Sequence, residues 1–113
     1  MLIQDLIESE TQRLLARRKQ LVAAKTALNA GNLVQSIDLM RSLLQMGFPS
    51  QGATAFFDRN ERKVKTTLNS MKKTQNDLVP IYNITSDLLG TMSVNWPWLH
   101  TLRQELKQRL SLQ

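Results

Sequence analysis

Catalysis and metal binding need nucleophiles, bases or soft ligands, and this sequence supplies few of them. It has no cysteine and one histidine, His100. A thiolate nucleophile, a disulfide scaffold, a thiolate metal site and a histidine-pair metal cluster are therefore excluded within one chain. His100 stands between Leu99 and Thr101, with Trp96, Arg103 and Gln104 one helical turn away. No carboxylate is spaced to orient it as a base. Asp5 and Glu8 are three residues apart at the start of a helical stretch, where negative charge complements the helix dipole. The four glycines are scattered at the ends of helical stretches, so no phosphate-cradling loop is present. The expectation is a non-enzymatic protein with no catalytic residue, no metal, no cofactor and no small-molecule substrate.

Cations are the abundant charged groups, and they are unevenly placed. The net charge is +6. Arg13, Arg17, Arg18, Lys19 and Lys25 form a run without a single acid. Arg59, Arg62, Lys63, Lys65, Lys72 and Lys73 form a second run, interrupted only by Glu61. At 100° per residue, Arg59, Arg62, Lys63 and Lys73 fall opposite the apolar sector of their helix. Such a ridge can neutralise phosphates, and Arg17, Arg18 and Lys25 extend it if the first and third helices lie side by side. Nucleic-acid binding through these seven residues is the alternative reading. No helix-turn-helix spacing or RNA-binding aromatic motif supports it.

Apolar residues give the leading reading. Ile7, Leu14, Leu21 and Leu28 recur every seven residues. A coiled-coil seam needs a second apolar position per heptad, and Arg17, Arg18 and Lys25 occupy the candidates. The stripe therefore reads mainly as packing inside the domain. A helix of about 28 residues is about 42 Å long, however, against about 35 Å for a compact globule of this size. Its end must project, offering a contact surface. Trp96-Pro97-Trp98 reads as an anchor docking the last helix, with an aromatic hot spot for a partner as the second option. The expected function is that of a helical interaction or adaptor protein acting as an oligomer. Its surface would draw on Ile7, Leu14, Leu21, Leu28, Trp96 and Trp98, and its partner would be another protein or a second copy.

These residues must be positioned by helices. The chain of 113 residues fits one domain, 1–113. No stretch alternates with period two, so the fold class is all-α. The spacing predicts a long N-terminal helical hairpin over about 2–29 and 33–46, a long third helix over about 54–79, and shorter helices over about 81–90 and 97–111. Gly31 and Asn32 suit a C-cap followed by an N-cap, Gly47-Phe48-Pro49 is a stop, and Asp58 with Glu61 resembles a capping box. Pro80 is expected to end or kink the third helix near Val79. Asp5 and Glu8 replace the basic start of a secretory leader, and no 18-residue apolar window exists, so a cytoplasmic location and no membrane insertion are expected.

Overall fold

The computed structural model describes residues 3–111, with side chains from residue 9 onward. Six helices follow in order: α1 (Ile3–Asn29), α2 (Leu33–Gln45), α3 (Ser50–Arg59), α4 (Glu61–Thr74), α5 (Val79–Leu89) and α6 (Pro97–Ser111). The described residues contain no strand, and the fold is an all-helical bundle.

Glycine sets both turns of the N-terminal half. Gly31 adopts φ +81°, Asn32 N–H donates to the Ala27 carbonyl at 2.9 Å and Gly31 N–H to that of Leu28 at 3.0 Å. This paired closure satisfies carbonyls that α1 would otherwise leave bare. The Asn32 side chain then caps α2, accepting from Gln35 N–H at 3.1 Å. Gly47 repeats the device at φ +94°, with Phe48 N–H on the Leu43 carbonyl at 3.0 Å. The left-handed backbone is what calls for glycine here; a Cβ on Gly47 would also lie 2.8 Å from the end of the Arg17 side chain, which would have to shift.

The third helix expected over 54–79 is instead two helices. α3 begins at Ser50, and Asn60 then separates it from α4. Asn60 leaves helical geometry at φ −114°, ψ 18°. Its amide donates to the Phe56 carbonyl at 2.7 Å, and its side-chain oxygen accepts from Lys25 on α1. An asparagine that can bond neighbouring backbone competes with the helix ladder, and here the competition wins. α4 stops at Thr74, well before Pro80. Asp77 Oδ1 accepts from Val79 N–H at 3.0 Å, and Pro80 sits in the first turn of α5, where its missing N–H costs nothing.

The core lies between α2 and the C-terminal helices. Leu33, Ile37, Met40 and Leu43 of α2 meet Phe57, Leu68, Ile81, Leu88, Leu99 and Leu106, all essentially solvent-free. The connection from α5 to α6 is pinned by Met92, Val94 and Trp96, which are buried while the residues between them are exposed. Thr54 Oγ1 donates to the Met92 carbonyl at 2.7 Å, holding that loop to α3.

α1 enters the core only from Ala24 onward. Its 27 residues face an α2 of 13. Three side chains fasten the overlap: Ser36 Oγ donates to the Ala24 carbonyl at 2.9 Å, Gln20 Nε2 to Leu39 at 3.1 Å and Arg17 Nη2 to Met46 at 2.5 Å. The molecule is drawn out to 62 × 23 × 23 Å, with a radius of gyration of 16.8 Å. A compact chain of this length would have about 13 Å.

The two ends of the stripe should differ in consequence. Leu28→Ala should cost about 2–5 kcal/mol in urea unfolding, since Leu28 is fully buried. Leu14→Ala should change stability by no more than about 0.5 kcal/mol in dilute solution, because Leu14 is 54% exposed.

Candidate functional site

Three surfaces collect the residues singled out by sequence. The first is the tryptophan pair. Trp96 and Trp98 stack with ring centroids 5.5 Å apart and planes at 14°. Trp96 Nε1 donates to Asp58 Oδ1 at 2.8 Å, and Trp98 Nε1 to Glu61 Oε2 at 2.7 Å. Lys65 Nζ lies 5.4 Å from the centre of the Trp98 ring. The pair thus clips the start of α6 to the α3–α4 junction, and each indole N–H finds the partner a buried indole requires. Asp58 and Glu61 do not form the expected capping box. Their carboxylates face the indoles, and α4 has no side-chain cap. Trp96 is only 4% exposed, whereas Trp98 is half-buried.

The second surface is basic. Arg59, Arg62, Lys63 and Lys73 are all exposed. Lys63 Nζ donates to Asn29 Oδ1 at 2.5 Å, and Lys25 donates to Asn60, so α1 and α4 lie side by side here. Lys25 therefore stands beside Lys63 and near Arg59 and Arg62. An open depression of about 380 Å³ is lined by Arg59, Asn60, Arg62, Lys63 and Thr66. Arg17 does not join this group. Its guanidinium caps the C-terminal end of α2 through the Met46 carbonyl, and its Nε is buried without an acceptor. Arg18 lies farther along α1, with Leu15, Lys19 and Val22 around a shallow groove of about 290 Å³. Lys73 is about 15 Å along α4 from Lys63.

The third surface is the free part of α1, beyond the end of α2. Leu14, Leu15 and Val22 are 54%, 50% and 61% exposed. Leu21 is partly covered and packs against the core, and Leu28 belongs wholly to it. The Ile7 side chain lies outside the described residues. Leu15 and Val22 lie on the same apolar face of the helix in sequence, seven residues apart on the line next to Leu14, and they join it here although the expected surface did not include them.

Among the described residues, no cluster of three His, Cys, Asp or Glu side chains could hold a metal, and no helix is long and apolar enough to cross a membrane. His100 is exposed on α6. A depression of about 220 Å³ between α2 and α5 carries Asp38 and Asp87, but Arg41 bridges both at 3.0 Å. Glu105 binds Lys72 at 2.6 Å, tying α4 to α6, and the Lys72 ammonium holds its carboxyl below the usual glutamate range. No family model, curated protein or solved structure matches this chain.

Two measurements follow. Trp96→Ala should cost about 3–5 kcal/mol in denaturant unfolding, and Trp98→Phe, which keeps an aromatic ring but removes the N–H donor and part of the stacked area, about 1–2 kcal/mol. Because the folded-state pKa of Glu105 is depressed, its ion pair contributes fully above the unfolded glutamate pKa. That contribution is lost as pH falls below about 4. With Glu105 41% exposed, the loss should be under about 1 kcal/mol, read as the difference between wild type and Glu105→Gln across that range.

Proposed function

We propose that this chain is a non-enzymatic interaction protein that works by protein–protein association through the free part of α1. The observation that carries the reading is the exposure of Leu14, Leu15 and Val22 on a helix that continues past the element it packs against. Large apolar side chains left half-exposed together favour a protein partner, because covering them removes apolar area from water. The cations interleaved with them, Arg18 and Lys19, favour a partner with acidic groups at the rim. Trp96 and Leu28 are covered by the chain's own core, so the surface is drawn from Leu14, Leu15 and Val22, with the uncovered part of Leu21 at its edge.

A second reading is favoured by one observation, the gathering of Lys25 beside Arg59, Arg62 and Lys63 across the α1–α4 junction. Exposed cations along a helical ridge suit a phosphate backbone. Binding of this kind would be sequence-independent.

The readings separate in one experiment. A photo-crosslinking residue at position 15 should yield protein adducts in cells, and Leu14→Ser with Val22→Ser should remove them without unfolding the chain. Replacing Arg59, Arg62, Lys63 and Lys73 by glutamate should leave those adducts intact. The reverse pattern would overturn the first reading in favour of the second: no protein adduct, with duplex binding that falls steeply between about 50 and 200 mM salt and disappears in the glutamate variant.

A further inference from the structure

The chemistry of α1 specifies what covers it: we infer that the occupant is a second copy of this chain, laid antiparallel along the first. This rests on the reading that α1 is an association surface and names its partner. Three observations support it. The apolar residues on this face form two adjoining lines, exposed Leu14 with partly covered Leu21, and Leu15 with Val22, both exposed. The first line is repeated seven residues earlier at Ile7, so in sequence Leu14 is its midpoint. An antiparallel pair centred there sets Leu14 near the two-fold axis and matches Leu21 of each copy with position 7 of the other, which is the self-complementary pattern a two-fold interface requires.

Charge selects the direction. Every acid of α1 lies in its first part, at Asp5, Glu8 and Glu10, and the acid-free cationic run follows from Arg13 to Lys25. A parallel pair would lay the cationic run against itself, which is repulsive. An antiparallel pair lays the acidic part of each copy along the cationic part of the other, with Glu10 at the level of Arg17 and Arg18. Glu10 is available for this. Its contact with Arg13 is 3.8 Å long, and both side chains are more than 60% exposed. The start of the second copy's α1 then runs toward Lys25, where Lys63 and Arg62 add positive charge. Geometry also leaves the space open. α2 fastens α1 on the side of Arg17, Gln20 and Ala24. Leu15 and Val22 lie on a different side and line an open groove.

The absence of cysteine makes the test direct, since an introduced cysteine is the only thiol in the chain. Nuclease-treated full-length protein should have twice the monomer mass of 12.9 kDa by light scattering. Oxidising a mixture of Thr11→Cys and Arg18→Cys proteins should give the mixed disulfide in large excess over either homodisulfide, because the antiparallel register brings these two levels together and holds each apart from itself. Leu14→Ser with Val22→Ser should weaken the dimer by about tenfold or more while leaving the helical circular dichroism unchanged. Efficient homodisulfide formation by Thr11→Cys alone would overturn the direction, and a monomer mass at high concentration would overturn self-association. Protein adducts from position 15 in a chain that is monomeric would refute this inference and leave the broader reading standing. No adduct and no dimer would refute both.

Discussion

α2 is 13 residues long and α1 is 27, and the bundle can cover α1 only as far as its neighbours reach. That mismatch governs the remainder of the structure. From Ala24 onward α1 is a core helix, whereas every side chain from Ser9 to Ala16 is exposed, a stretch about 12 Å long. The polar bonds from Arg17, Gln20 and Ser36 all lie within the overlap, each of them to a backbone carbonyl. Side-chain bonds to fixed carbonyls set axial register and rotation, and they hold the free part of α1 in one direction relative to the core.

The C-terminal half is joined by a different set of contacts. α6 is tied to the α3–α4 junction by two indole–carboxylate bonds, to α4 by Lys72 and Glu105, and to α5 by Arg103, which donates to Ser86 Oγ at 3.1 Å and Tyr82 Oη at 3.0 Å. Apolar burial supplies the driving force, and these polar contacts choose among the ways a set of amphipathic helices could pack. The same arrangement explains why the cations of α4 divide into two groups. Lys63, Lys65 and Lys72 are engaged with Asn29, Trp98 and Glu105, while Arg62 and Lys73 face water.

What could be read from the sequence is what local physics decides. Both glycine turns, the cap at Asn32 and the start of α6 at Pro97 were legible, because each depends on a few adjacent residues. The break at Asn60 was not legible, since the apolar spacing runs on through it and one of its two side-chain partners, Lys25, is 35 residues away on another helix. Asp58 and Glu61 have the spacing of a capping box, and only the arrival of Trp96 and Trp98 from 38 and 37 residues downstream claims them for another purpose. Likewise Arg17 and Lys25 belong to one cationic run, but the pairing of α1 with α2 and α4 sends one to a helix end and the other to the ridge. The projection of α1 was legible from its length alone. Which side of it stays bare required knowing where α2 packs.

Gly47 carries an implication for how this chain can vary. A side chain there would force a left-handed backbone on a residue that resists it, and would also push the Arg17 guanidinium off the carbonyl that it caps. Two demands of different origin, one conformational and one steric, therefore converge on a single hydrogen atom. The turn that ends the hairpin is thereby linked to the root of the protruding rod, since a side chain at position 47 would displace the Arg17 guanidinium as well as strain the turn.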